Sequence, residues 1–143
     1  MPLSVQDRLE IQELYARYSH AVDAMDGAAW VTCWTRDGEF VPSVGPTAGT
    51  PYRGHDEIRA FADTRPDEYP QARIWTTNYV FEEKDGYVEG TCYGMTVDVS
   101  GPAPVITAHY VYHDEIVKED DGGWRFRQRH PALDVEAKRE WAA

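Results

Sequence analysis

From Arg73 onward the chain consists of long β-rich runs separated by two Asp-Gly turn signals, Asp85-Gly86 and Asp121-Gly122. No other feature restricts the fold as much. An Asp-Gly pair between runs of β-branched and aromatic residues marks a tight hairpin, because glycine accepts the positive φ such turns need. Residues 73–82, 87–99, 105–118 and 124–130 read as four strands, with a Gly/Pro loop at 100–104. Pro131 has no N–H to give a ladder, so the last strand is expected to stop at His130. A short helix is expected over residues 134–141.

The first half follows a different period. Ile11, Leu14, Tyr15, Tyr18, Val22 and Met25 fall at the three-and-four spacing of one helical face. Ser4 with Asp7 three residues on is a helix start, so the first helix is expected from about residue 5 to 25. Asp26-Gly27 breaks it and caps a second helix carrying Trp30, Cys33 and Trp34. Asp37-Gly38 then turns into a brief apolar segment, Phe40-Val41, followed by a Gly/Pro-rich loop at 42–51. Gly54-His55-Asp56 opens a third helix through Ile58 and Phe61. Helices followed by hairpin-linked strands define an α+β fold, here one domain over residues 1–143. Strands this long on so small a chain imply a strongly curved antiparallel sheet wrapped over the N-terminal helices.

Composition removes several classes of function. A formal charge of −11 leaves no basic stripe for nucleic acid and disfavours anionic lipid. Hydrophobic content of 42% with 13% aromatics supports a packed globule. The N-terminal Met-Pro-Leu-Ser lacks the basic-then-apolar pattern of a leader, and the two cysteines, Cys33 and Cys92, form no metal-spaced set. A cytoplasmic protein is the expectation. Without GxGxxG, P-loop, HxH or HExxH patterns, neither a nucleotide cofactor nor a metal is expected. His109 and His113 lie about 13 Å apart along a strand, too far to share one ion.

Asp23 is the candidate base. It sits beside Val22 at the margin of the helical stripe, where partial burial raises a carboxyl pKa toward the useful range. The alternative is a solvated residue in a last turn. Tyr15 and Tyr18 lie on the inward face, and a phenol in an apolar site is a credible donor to a developing oxyanion. In the strand 105–118, His109, Val111 and His113 share one face while Tyr110, Tyr112 and Asp114 share the other. A register slip of one residue exchanges the faces, so either set can be the concave one. The reading carried forward turns the histidines inward, with His113 facing Asp23. His20 lies opposite the apolar stripe, His55 at a helix start, and His130 at a strand end. Arg125, Arg127 and Arg129 alternate on the last strand, where surface acids are their expected partners.

Several of these segments together resemble the SnoaL-like branch of the nuclear transport factor two-like superfamily. They are Ile11-Gln-Glu-Leu-Tyr15, Val22-Asp23 with Asp26, Trp34-Thr-Arg-Asp-Gly-Glu-Phe40, Gly54-His-Asp-Glu-Ile58, Thr77-Asn78 and Asp121-Gly-Gly-Trp-Arg-Phe126. The resemblance implies a cystatin-like α+β barrel, a cone of curved sheet around an apolar pocket, as a homodimer or higher homo-oligomer. Relatives include polyketide cyclases, scytalone dehydratase, a dehydrochlorinase, ketosteroid isomerase and epoxide hydrolases. In the dehydratase and dehydrochlorinase, an Asp matching Asp23 works with a strand histidine. Here that histidine is Ile74, and the assisting Lys of the dehydrochlorinase is Tyr18.

The resulting expectation is a cofactor-independent lyase or isomerase working by general acid–base catalysis on a small apolar, aromatic or polyketide-like molecule. Asp23, Tyr18 and His113 are the expected catalytic residues. Tyr15, Trp34, Ile74, Cys92 and His109 are expected to bind substrate. The alternatives are a non-catalytic small subunit of a ring-hydroxylating oxygenase or a ligand-binding cone.

Overall fold

The computed structural model describes residues 2–68 and 71–136. Helices α1 (Val5–Asp23) and α2 (Gly27–Val31) lead into β1 (Trp34–Phe40) and the short β2 (Tyr52–Arg53). Helix α3 (Gly54–Glu68) precedes four long strands, β3 (Ala72–Lys84), β4 (Tyr87–Asp98), β5 (Val105–Lys118) and β6 (Trp124–Glu136). They form one six-stranded sheet in the order β2-β1-β6-β5-β4-β3. All neighbours are antiparallel except β1 and β6, which run parallel. The sheet curves around α1 without closing, and β3 is one free edge. Among the described residues no helix is long and apolar enough to cross a membrane.

Local chemistry accounts for each boundary. The Asp7 N–H donates to Ser4 Oγ at 3.0 Å and the Ser4 N–H returns to Asp7 Oδ2 at 3.2 Å, a reciprocal cap. The Ser4 hydroxyl, donating to Asp7 Oδ2 at 2.8 Å, and the Ser4 N–H lower the Asp7 pKa to about 2. Trp124 Nε1 also donates to Asp7 Oδ1, at 3.3 Å, which ties the start of α1 to the start of β6. Asp26 caps α2 through the Ala29 N–H at 3.0 Å. His55 Nε2 donates to the Trp34 carbonyl at 3.0 Å and fixes the start of α3 against β1.

Four expectations are corrected. Trp34 opens β1 rather than continuing α2, because α2 ends at Val31 with Thr32 as its cap. Asp37-Gly38 lies within β1 as an irregularity in its ladder rather than as a turn. Pro131 does not stop β6, which pairs on through Tyr112↔Pro131 to Ala108↔Glu136. The last backbone bond from the β1 side is Val41 N–H to the Arg129 carbonyl, so beyond it β6 is a free edge where a missing N–H does no harm. Residues 134–136 are therefore strand, and the rest of the expected terminal helix lies outside the described residues.

The core fills the concave side. Of the helical stripe, Met25 is exposed, because α1 ends at Asp23 and Met25 takes a positive φ of 57°. Ile11, Leu14, Tyr15, Tyr18 and Val22 of α1 are all buried, as the stripe predicts. They meet Trp30, Trp34, Phe40, Phe61 and Phe126 in a continuous array of rings with centroids 5.0–6.0 Å apart. Room for these rings comes from β4, whose inward residues include Gly90, Cys92 and Gly94. A Cβ on Gly94 would collide with the Tyr112 ring, and one on Gly90 with the Tyr15 hydroxyl and Ile116. Gly94→Ala should therefore cost about 1–3 kcal/mol, the usual penalty for overpacking. Urea unfolding measures it, and an unchanged midpoint would contradict the packing described.

Candidate active site

The concave face of β5 carries Tyr110, Tyr112 and Asp114, all buried, whereas His113 is exposed on the convex face. The histidine-inward expectation is thus corrected: the inward side alternates back from buried Ile116 through Asp114, Tyr112 and Tyr110. Strand β6 departs from such regularity. From the Asp121-Gly122 turn, Lys118 pairs with Trp124 and Ile116 with Phe126. An unbroken ladder would then set His113 opposite Arg129. Instead Glu115 pairs with Gln128, so Arg127 is an extra residue and Asp114 faces Arg129. One bulge moves Arg129 from the outer face to the inner one.

Arg129 is 0% exposed. Its Nε donates to Asp114 Oδ1 at 3.1 Å, and the Tyr15 hydroxyl donates to Asp114 Oδ2 at 2.6 Å. The guanidinium carbon lies 3.9 Å from the ring centroid of Tyr112, 4.3 Å from Tyr18, 4.6 Å from Phe126 and 4.8 Å from Tyr15. Nη1 and Nη2 have no hydrogen-bond acceptor, so ring faces take the place of oxygen atoms around them. Burial pushes the Asp114 carboxyl above its ordinary range, while Arg129 and the Tyr15 hydrogen bond pull it down. Desolvation acts to lower Arg129, but Asp114 and the three neighbouring phenols outweigh it and drive its pKa up. Arg129 is a permanent cation inside the cone. Arg125 and Arg127, by contrast, pair with Asp121 and Glu115 near the surface, as the sequence suggests.

Two open spaces adjoin this knot. A cavity of about 40 Å³ inside the cone is walled by Tyr18, Val22, Ile74, Thr96, Tyr110 and Tyr112, with the loop residues Pro42–Val44 across it. The Tyr110 hydroxyl shares a hydrogen bond with Thr96 Oγ1 at 2.8 Å. Burial raises the Tyr112 phenol well above its usual value of 10, with Arg129 pulling against it. The second space is an open groove of about 520 Å³ between α1 and the β3 edge, bordered by Ser19, His20, Asp23, Ile74, Trp75 and Tyr79.

Asp23 belongs to the groove. It is half-buried, and its two carboxylate oxygens accept from the Ile74 backbone N–H at 3.1 and 3.2 Å. The carboxylate of α1 thereby occupies an N–H of the free edge of β3, where no neighbouring strand can. His20 is exposed, as expected from its position opposite the stripe, yet borders the same groove three residues from Asp23.

The remaining candidates separate. Tyr18 and Ile74 reach the cavity wall. Tyr15 is fully buried and bonded to Asp114, so it supports the knot rather than a ligand. Trp34 packs behind Tyr18 at a centroid distance of 6.0 Å. Cys92 is 0% exposed beneath Arg129, and burial pushes its thiol up to about 12. His109 pairs with Asp134 at 2.8 Å near the surface, away from Asp23. Sequence reasoning missed Tyr112, Asp114 and Arg129 as one group. The register signal was present in the turn, but the bulge at Arg127 was not. Among the described residues no three His, Cys, Asp or Glu side chains gather closely enough to hold a metal ion.

Comparison with known proteins agrees with this architecture. The sequence profile of the SnoaL-like domain matches residues 4–130, and the chain belongs to that family. Among solved structures it is similar to a Mycobacterium tuberculosis protein of unknown function, Rv3472, with 28% identity, 90% of this chain and 72% of that one covered, and a TM-score of 0.79. It is similar to Aln2 from a Streptomyces species, with 25% identity, 94% and 95% coverage and a TM-score of 0.82. A Nostoc punctiforme protein of unknown function with a cystatin-like fold shares 21% identity over 94% and 96% of the chains, at a TM-score of 0.81. No curated protein matches the sequence.

Asp114→Ala should destabilise the protein by about 3–5 kcal/mol, because it strands a buried cation. Asp114→Leu combined with Arg129→Met should recover most of that loss. Chemical denaturation of the two variants provides the comparison, and equal losses would remove the knot from its structural role.

Proposed function

We propose that the protein is a cofactor-independent lyase or isomerase acting by general acid–base catalysis on a small, largely apolar aromatic or polyketide-like molecule. Elimination, dehydration, cyclisation and retro-aldol cleavage share the required chemistry: a base takes a proton, and a donor stabilises the charge that develops on oxygen. Asp23 is the base. Tyr18 and Tyr112 serve the oxygen, with Tyr112 replacing His113 in that role. The observation that carries this reading is Ile74, a residue that borders both the groove holding Asp23 and the cavity walled by the two tyrosines. Two free buried thiols, Cys33 and Cys92, fit a reducing cytoplasm.

A binding role without chemistry is the second reading. It is favoured by Ile74 standing where the relatives' histidine would be, and by the Asp23 carboxylate already engaged with a backbone N–H. A panel of aromatic β-hydroxycarbonyl compounds, followed by absorbance for loss of water, separates the two. Asp23→Asn should lower kcat about 100-fold or more. Undiminished turnover in that variant, or tight uptake with no product from the native protein, would favour the binding role.

A homodimer through the convex face of β3–β5 belongs to the same proposal. Trp75 (62% exposed), Tyr93 (47%) and Ile106 (60%) stand on this side of the molecule. In a chain of charge −11, a face dominated by rings and imidazoles is where two copies repel least. Sedimentation should give a dimer, and Tyr93→Asp should shift it to monomer. A native monomer at all concentrations would refute this part.

A further inference from the structure

We propose that His113 and His130 form a two-histidine site for a divalent transition-metal ion of the zinc kind on the convex face of the sheet. The site is independent of the acid–base reading. Its neighbours Tyr112 and Pro131 line the inner cavity, so the two histidines between them and the next residues point the opposite way.

The bulge that turns Arg129 inward also makes this pair. An unbroken ladder would set His113 against Arg129, but with Arg127 as the extra residue His113 pairs with His130. Residues directly opposite on antiparallel strands share a face, with Cβ atoms about 4.5–5.5 Å apart. Two imidazole nitrogens on one zinc, each at about 2.0–2.1 Å, need a separation of only about 3.3 Å at the tetrahedral angle. Side-chain rotation covers that difference. His109 and His113, about 13 Å apart along one strand, have no such option. The pairing runs across strands, which is why motifs along the chain give no sign of it.

The ring of His130 is already turned for a metal. Its Nε2 lies 3.1 Å from Glu39 Oε1. That carboxylate also accepts from Gln128 Nε2 at 3.1 Å and from Arg53 Nε at 2.7 Å, and these bonds hold its pKa below the ordinary range. An ionised carboxylate only accepts, so Nε2 carries the hydrogen and Nδ1 keeps its lone pair. Metal-bound histidines commonly give their other N–H to a carboxylate in this way. Glu39, with both oxygens engaged, is thus a positioning residue behind His130. His113 is exposed, and its ring has no hydrogen-bond partner among the described residues to hold it away from His130.

Imidazole suits zinc, nickel and copper, whereas magnesium and calcium take oxygen ligands. Among the described residues no third His, Cys, Asp or Glu closes the set, so water completes the coordination and the site is an open one. The charge of −11 draws cations toward the surface.

Zn²⁺ binding to the metal-stripped protein, read by titration calorimetry with Mg²⁺ as the comparison ion, tests the site. One Zn²⁺ per chain is expected, and no heat from Mg²⁺. His113→Ala and His130→Ala should each weaken Zn²⁺ binding at least tenfold, and His109→Ala less than twofold. Both paired histidines are partly open to solvent, so their loss leaves the core intact. Glu39→Gln should weaken binding about tenfold. In nitrogen-15 spectra it should also mix the two tautomers of His130, a change that lost packing alone would not produce. No Zn²⁺ uptake by the native protein, undiminished affinity in His113→Ala, or equal losses in all three histidine variants would overturn the site.

Discussion

A buried guanidinium held by one carboxylate and four aromatic rings is the constraint on which the rest of this molecule depends. Arg129 joins β6 to β5 through Asp114 and to α1 through Tyr15 and Tyr18. A charge in that position is costly to desolvate, and only a complete set of partners keeps it tolerable. The aromatic richness of α1 and the small residues Gly90, Cys92 and Gly94 on β4 follow from the same need, since the rings that surround the cation require depth on the concave face. The knot also explains why the interior is so full. What would be an open cone is occupied by its own aromatic side chains, and the cavity beside Tyr18 and Tyr112 measures about 40 Å³.

That fullness alters how the site has to work. The carboxylate read from the sequence as the base is present, but it stands at the rim, on an open groove beside a sheet edge. The phenols stand inside. A reaction needing both must bring its substrate to Ile74, where the two environments meet. The permanent charge of Arg129 behind Tyr18 and Tyr112 favours negative charge developing at the cavity wall, because few water molecules are available there to screen it. The functional proposal thus depends less on a histidine substitute than on electrostatics transmitted through two rings.

Legibility differed sharply between elements, for physical reasons. The helix α1 was read nearly to its ends because its stripe, its Ser4–Asp7 cap and the Asp26-Gly27 break are local signals. Strand β5 was bounded correctly at both ends, yet its inward face was misassigned. Boundaries are set by turn residues nearby in the chain, whereas the face depends on register with a partner strand. The inward face of β5 follows from Ile116 beside the turn, and the single extra residue at Arg127 converted an arginine expected at the surface into the centre of the core. Pro131 misled in a similar way: its missing N–H ends a strand only where a neighbour needs it, and β1 has already stopped.

By itself the sequence determined the α+β order, the buried face of α1, the two Asp-Gly hairpins and the presence of Asp23 without the strand histidine. These rest on periodicity and on residues close in the chain, where covalent geometry limits the choices. Only the tertiary structure decided that Tyr112 and Asp114 face inward, that Arg129 is sealed among rings, and that Asp23 and the phenols lie on opposite sides of Ile74. Each of those depends on contacts between residues far apart in the chain, and for Arg129 a shift of one residue in a single ladder sets the face.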